Sequence, residues 1–308
     1  MNALKNLIAE YLEHCKIRKE LNSKTIKAYK IDLKQFSDHI QAYDSYVDKN
    51  VLNDYISDIH QHFRPKTTKR KIASVNAFFH YLVYEEILES NPFDKINIRF
   101  REPQRLPRTI PLAVIETFIT TMYRAQQYAQ TEFQKNYILR DIAVVELLFA
   151  TGMRISELCT LKVSQVDLIS RKLLICGKGA KERMLQIGTP EVIRILSKYH
   201  AVFEPDINSS GWFFINRLGN RLSEQSVRTM ILKYAELAGI QLHLTPHMFR
   251  HSFATFLLEA DVDIRYIQKM LGHSSITTTE IYTHVSMTKQ YHILTTKHPR
   301  NDMKLGGV

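Results

Sequence analysis

The stretch LTPHMFRHSFATFLLEADVDIRYIQKMLGHSSITTTEIYTH, residues 244–284, carries a His-x-x-Arg pair (His247, Arg250), a Gly-His step (Gly272, His273) and a tyrosine nine positions further on (Tyr282). Thr245 fits a helix N-cap and Pro246 a first helical position, which puts His247 and Arg250 in the opening turns of a helix. Residues three apart are neighbours on one helical face. A helix start with unpaired N–H groups, bearing an imidazole and a guanidinium, suits a bound phosphate. Phe249, Phe253, Phe256 and Leu257 recur at helical spacing and predict the buried stripe from which this site hangs.

A second helix is predicted from Asp263 as N-cap through Ile264, Ile267, Met270 and Leu271, with Gly272 as its stop. That leaves His273 in the turn beyond a helix C-terminus. Thr277 with Glu280 matches a capping box, which places Tyr282 on a short third helix with its hydroxyl free to face the same phosphate. Taken singly, each residue has an ordinary alternative: a packed, hydrogen-bonded His or Tyr, or a surface Arg. Their joint order is what points to a site.

HMFRHSFAT (247–255) and LGHSSITTTEIYTHV (271–285) resemble box II of the tyrosine site-specific recombinases, the phage integrase family, and in particular the bacterial Xer recombinases and related integrases. The similarity runs over nearly the whole chain. It implies a mainly α protein in three parts: an N-terminal all-helical, SAM-like core-binding domain over 1–98, a basic proline-containing linker over 99–111, and a catalytic domain over 112–308. The last of these is expected to be mixed α+β, with a small antiparallel sheet and a C-terminal tail helix.

Composition agrees with this outline. A length of 308 residues exceeds the size at which one core is usual, so two domains are expected, and 44% hydrophobic residues supply both cores. Lys plus Arg at 42 against Asp plus Glu at 31 gives a formal charge of +11, which favours a polyanionic partner. The three cysteines, Cys15, Cys159 and Cys176, are widely spaced and form no Cys-x-x-Cys pair. They read as buried small residues in a reducing compartment and exclude a zinc ribbon or disulfide frame. MNALKNLIAEYLEH lacks the apolar core of a signal peptide and no stretch reaches membrane-spanning length, so a cytoplasmic protein without membrane contact is expected.

In the first hundred residues, Leu4, Leu7, Ile8, Tyr11 and Leu12 mark one helix, and Ile26, Tyr29, Leu33 and Phe36 a second after Asn22 and Ser23. Val51 to Ile59 fits a third, and Pro65 opens a long one with Ile72, Val75, Phe78, Phe79 and Leu82 on its buried face. The pattern predicts about four or five helices and no strand. Arg64, Lys66, Lys69, Arg70 and Lys71 fall within eight residues that contain no acid. A solvated basic face is the ordinary reading of such a run; beside a phosphoryl-transfer site, contact with DNA phosphates becomes the better one. RFREPQRLPRTIP (99–111) adds Arg99, Arg101, Arg105 and Arg108 among three prolines and one acid. It reads as a linker that tracks a phosphate backbone, joining two domains into a clamp around a duplex.

LAVIETFITTMY reads as a helix, and a polar Gln-rich stretch, 125–136, carries no catalytic signal. In ILRDIAVVELLFATGMRISELCTL an apolar helix turns at Thr151 and Gly152 into a new helix near Arg154. TGMRISEL resembles the family's box I, which implies that Arg154 is a catalytic arginine. Glu157 is spaced to orient it, although a plain surface pair fits as well. LLICGKGAKERMLQIG (173–188) reads as a β-hairpin tipped by GKGAK. The spacing of a nucleotide-binding P-loop is absent. The resemblance implies that Lys178 belongs to the active site, with Lys181 the alternative. Residues 189–240 return to helical patterning, with Trp212, Phe213 and Phe214 expected in the core.

Together Arg154, Lys178, His247, Arg250, His273 and Tyr282 amount to a cationic phosphate pocket with one nucleophile. Guanidiniums on the non-bridging oxygens neutralise charge that builds during attack on a phosphodiester. Tyr282 needs its proton removed, since a free phenol has a pKa of about 10, and His247 is the expected acceptor. His273 then hydrogen-bonds the phosphate and Lys178 protonates the departing 5′ oxygen. Neither metal nor other cofactor is expected. The resemblance implies double-stranded DNA as partner and a homotetramer, or a heterotetramer with a related recombinase, on paired sites. The expected role is Xer-like resolution of chromosome or plasmid dimers; an integrase or resolvase of a phage, transposon or other mobile element is the alternative, and a catalytically silent DNA binder a further one. Tyr291 is the second candidate nucleophile.

Overall fold

The computed structural model describes residues 2–43, 45–96, 108–177 and 182–272. The chain divides into two compact units, Met1–Gln104 and Arg105–Val308.

Among its described residues the first unit has helices and no strand: α1 (Asn2–Ile17), α2 (Ser23–His39), α3 (Lys49–His62) and α4 (Pro65–Tyr84), with short 3-10 turns at Ile40–Ala42 and Pro92–Lys95. The boundaries follow side chains that satisfy the first free N–H groups. Asn22 accepts from the Lys24 amide at 2.8 Å and Asp48 from the Asn50 amide at 2.6 Å, while Pro65 opens α4 where no amide is needed. Tyr11, Leu33, Phe36, Leu52, Tyr55, Val75, Phe78 and Phe79 close into one core. Inside it lies a carboxylate, Asp32, fully buried on α2. It pairs with Arg70, with Lys71 at 3.2 Å and with the Ser74 hydroxyl at 2.9 Å, all from α4. The expectation that Lys71 meets DNA is thereby corrected: its side chain is 2% exposed, bonded to Asp32 and laid over the Phe63 ring. A charge buried beside its counter-ion is not available to a phosphate.

The second unit begins with α5 (Leu112–Gln127) and α6 (Glu132–Thr151). The Gln-rich stretch 125–136 spans the end of α5 and the start of α6. The break between α5 and α6 is short because Thr131 caps α6, accepting from the Gln134 amide at 3.2 Å. The apolar helix α6 is buried on most of its surface by α5, α8 and α10. Gly152 ends it at φ +59°, and a Cβ there would come within 2.4 Å of the Phe253 ring. After α7 (Ile155–Cys159) come β1 (Val166–Asp167), β2 (Lys172–Cys176) and β3 (Glu182–Gln186), an antiparallel sheet in the order β1-β2-β3. In this sheet Leu173 stands opposite Leu185 and Ile175 opposite Arg183. β1 escaped the sequence reading because two residues show no alternation.

α8 (Pro190–Ser210) and α9 (Glu224–Leu237) follow, linked by a segment whose Phe213 and Phe214 are buried. The Tyr199 hydroxyl locks this segment, donating to the Phe213 carbonyl at 2.9 Å and accepting from the Ile215 amide at 3.2 Å. Trp212 is only half-buried, and its indole ring holds two cations, Lys162 at 5.0 Å and Arg221 at 5.5 Å from its centre. Cys176 likewise departs from expectation: it is exposed at the end of β2, whereas Cys15 and Cys159 are buried. α10 (Pro246–Glu259) and α11 (Ile264–Leu271) complete the described unit, with Thr245, Asp263 and Gly272 capping as the sequence predicts. The buried face of α10 differs: Met248, Phe249, Arg250, Ser252, Ala254 and Thr255 are inside, while Phe253, Phe256 and Leu257 are half-buried. No described helix is long and apolar enough to cross a membrane.

Candidate active site

Arg250 rises from the first turn of α10 into the interior, 4% exposed. Its guanidinium donates to the Gly152 carbonyl at 2.8 Å and to the Leu271 carbonyl at 2.7 Å. One side chain thus ties together the end of α6, the start of α10 and the end of α11. Arg154 is the N-cap of α7, and Glu157 three residues on returns to it twice. The Arg154 amide donates to Glu157 Oε2 at 2.8 Å and its Nη1 to Oε1 at 2.8 Å. The open alternative for Glu157 is settled by burial: the carboxylate is inside, 6% exposed, and orients Arg154. Arg154 itself remains 35% exposed at its side chain, and its Nη2 lies 3.5 Å from the Gly272 carbonyl.

A third arginine enters from the sheet. Arg183 on β3 donates from Nη1 and Nη2 to the two oxygens of Glu157, at 3.0 and 2.8 Å, and from Nε to the Met270 carbonyl at 2.8 Å. The carbonyls of Met270, Leu271 and Gly272 therefore each receive an arginine N–H, from Arg183, Arg250 and Arg154 in turn. Helix C-termini leave such carbonyls without intrahelical partners and carry partial negative charge, so cations gather there. The sequence reading missed Arg183. Its signal was a basic residue in the inward phase of a strand, opposite the buried Ile175 and two positions before the buried Leu185.

Burial pushes the Glu157 carboxyl up, but hydrogen bonds from Arg183 and the Arg154 amide outweigh it and leave the group below its ordinary range. His247 opens onto the surface beside these arginines. Partial burial of its ring, then the charges of Arg250, Arg228 and Arg154, hold its pKa below the ordinary imidazole value, so the ring is neutral at neutral pH and able to accept a proton. His251, one residue after Arg250, is lowered further, to about 4, by burial and by its neighbours His247 and Arg250. Among the described residues, no group of three or more His, Cys, Asp or Glu side chains is placed to hold a metal ion.

Arg154 and Arg250 thus meet at the end of α11, one residue short of His273, and His247 is near enough for their charges to act on its ring. Lys178 and its alternative Lys181, His273, Tyr282 and its alternative Tyr291 lie outside the described residues, as do Arg99, Arg101 and Arg105. Of the expected DNA contacts, Arg64, Lys66, Lys69 and Arg108 are exposed, Arg70 is partly exposed and paired with Asp32, and Lys71 is buried. Thr151, Met184, Phe253 and Met270 line one surface pocket, and Phe149, Val192, Phe253, Phe256 and Leu257 line a second.

Residues 119–289 match the model of the phage integrase family, and residues 8–86 match that of the phage integrase N-terminal SAM-like domain. A tyrosine recombinase of Agathobacter rectalis is 56% identical over 98% of this chain and 99% of its own length. Tyrosine recombinase XerD of Staphylococcus epidermidis is 33% identical over 96% of this chain and 100% of its own length. Among solved structures, the XerH site-specific recombinase bound to a palindromic difH substrate superposes with a TM-score of 0.73 at 22% identity, covering 92% of this chain and 83% of that one. The Tn1549 transposon integrase in complex with transposon right-end DNA gives a TM-score of 0.67 at 18% identity, covering 95% and 99%. At these identities the two structures speak for the fold.

Proposed function

The chain belongs to the phage integrase family of tyrosine recombinases, and from that premise we propose that it is a Xer-type site-specific recombinase that cleaves and rejoins duplex DNA through Tyr282. The observation that carries the chemistry is the convergence of Arg154 and Arg250 on the end of α11. Arg154 takes one non-bridging oxygen of the scissile phosphate and Arg250 the other, using guanidinium N–H donors beyond the two it gives to the Gly152 and Leu271 carbonyls, and together they offset the charge that grows as the phosphorus becomes five-coordinate. His247 accepts the Tyr282 proton, the phenolate oxygen bonds to phosphorus, and the bond to the 5′ oxygen breaks. Lys178 gives that oxygen its proton, and His273 donates a hydrogen bond to the phosphate. The products are a 3′-phosphotyrosine and a free 5′ hydroxyl. A 5′ hydroxyl from a partner strand reverses the same steps, so rejoining needs no ATP.

The Xer assignment within the family rests on relatives named XerD and XerC, which align over nearly the full chain. In this reading four protomers assemble on two paired sites in the cytoplasm and resolve chromosome or plasmid dimers. In the same reading each protomer's segment after Ser286 docks on its neighbour around the tetramer. The exposed Arg64, Lys66 and Lys69 and the linker arginines contact DNA phosphates.

Plasmids carrying two copies of a site selected from random DNA test the proposal, with gel-shift binding measured alongside. The full chain is expected to recombine them, and a chain ending at Ser286 to bind one site yet fail in strand exchange. A truncated protein that recombines efficiently would contradict the exchange of tails. Sites drawn from a mobile element's ends rather than from a chromosomal or plasmid locus would move the role to an integrase.

A further inference from the structure

Arg154 and Glu157 alone would make a neutral pair, which is a poor receptor for a phosphate. Glu157 is buried, with a side chain 5% exposed, so water does little to screen its charge from the adjacent guanidinium. Arg183 changes that balance. It holds both Glu157 oxygens at 3.0 and 2.8 Å, and with it the trio Arg154, Glu157 and Arg183 carries a net positive charge. Its own side chain is 12% exposed and its Nε, Nη1 and Nη2 are each already bonded, so Arg183 acts on a substrate through Arg154.

The position of Arg183 is fixed from a second side by Gly272. The backbone there adopts φ +64°, and a Cβ would lie 2.9 Å from Arg183 Nη1 and 3.1 Å from its Cδ. The glycine serves the left-handed end of α11 and also the close approach of this guanidinium. Strand β3, helix α7 and the end of α11 therefore meet at one side chain.

We propose that Arg183 is a positioning residue for strand cleavage: by occupying Glu157 and the Met270 carbonyl, it fixes Arg154 and leaves that guanidinium's charge uncancelled for the scissile phosphate. The inference rests on the role given to Arg154 above. It predicts a defect that depends on the charge of the phosphate, which a brace for the fold alone would not produce.

The test compares single-turnover formation of the covalent adduct by the wild type and Arg183→Met. Each is given two versions of a nicked duplex carrying the selected site: one with the natural scissile phosphate and one with a methylphosphonate, in which a neutral methyl replaces a charged non-bridging oxygen. Non-covalent binding of the duplex reports folding. On the natural phosphate the variant is expected to be slower by about 10²-fold, as for a misplaced transition-state contact, and on the methylphosphonate by less than about tenfold, because less charge needs neutralising. Arg183→Lys, which keeps the charge but not the paired bonds to Glu157, should show a smaller loss with the same trend and serves if the methionine variant does not fold. Equal losses on both substrates, or no loss at all, would overturn the inference. A wild type that makes no adduct while binding the duplex would instead overturn the cleavage reading on which it rests.

Discussion

Asp32 and Glu157 are both buried carboxylates held by two cations, yet the two trios differ in their setting. In the N-terminal unit Asp32 receives Arg70 and Lys71 from a neighbouring helix; the lysine is 2% exposed, the arginine 44%, and the trio joins α2 to α4. In the catalytic unit Glu157 receives Arg154 and Arg183, which are 35% and 12% exposed. Each carboxylate thus buries one cation and leaves the other accessible. The difference lies in what stands beside the accessible one: Arg154 reaches the carbonyl end of α11, where Arg250 and Arg183 also donate, whereas Arg70 braces α4 against α2. A count of basic residues does not contain that placement.

The comparison breaks most readily at Asp32. Replacing it with alanine strands Lys71 as a buried unpaired cation, which costs roughly 3–5 kcal/mol, measured as a lower denaturation midpoint in chemical unfolding. Adding Lys71→Met to Asp32→Ala should recover most of that loss, since a buried ion pair exchanges well for apolar packing. In the catalytic unit the expectation inverts: Arg154→Met should slow single-turnover cleavage by about 10²–10³-fold with little change in unfolding midpoint, and Lys71→Met should leave cleavage within a few-fold of wild type. A loss of cleavage in the lysine variant equal to that in the arginine variant would erase the distinction.

A smaller effect follows from pH. In the unfolded chain His251 takes up a proton near its ordinary value of 6.5, but in the folded chain only near 4. Between those values the unfolded state binds more protons, so stability falls as pH drops from about 6.5 towards 4. His251→Gln should flatten that part of the stability profile. His247 is shifted in the same direction, so cleavage should persist below pH 6.5 and fail only at lower pH; a rate that halves at or above the ordinary imidazole value would contradict the neutral His247. The smallest expected effect is on salt dependence. Neutralising Arg64, Lys66 and Lys69 should reduce the slope of log affinity against log salt by up to roughly 0.9 for each DNA phosphate that no longer has a cation beside it, whereas Lys71→Met should leave it unchanged.

Much of this was legible in the sequence because the signals were local. Thr245, Pro246, Asp263 and Gly272 mark helix ends through backbone hydrogen bonding within a few residues, and the structure places all four at those ends. Gly152 and Arg154 were legible for the same reason. What failed was tertiary. Lys71 could not be separated from Lys69 in a basic run, because the carboxylate that buries it is 39 residues away. Arg183 was hidden because its partners Glu157 and Met270 are 26 and 87 residues distant. The half-buried Phe253, Phe256 and Leu257 were read as core because periodicity reports an apolar face and not what covers it.

The most direct test of the account is the identity of the residue that becomes linked to DNA. A nicked duplex carrying the selected site, incubated with the full chain in excess chelator, should trap a covalent complex whose digestion yields a 3′-phosphonucleotide on Tyr282, and Tyr282→Phe should bind the duplex and trap nothing. An adduct on Tyr291, an adduct still formed by Tyr282→Phe, or cleavage that chelator abolishes and magnesium restores would contradict it.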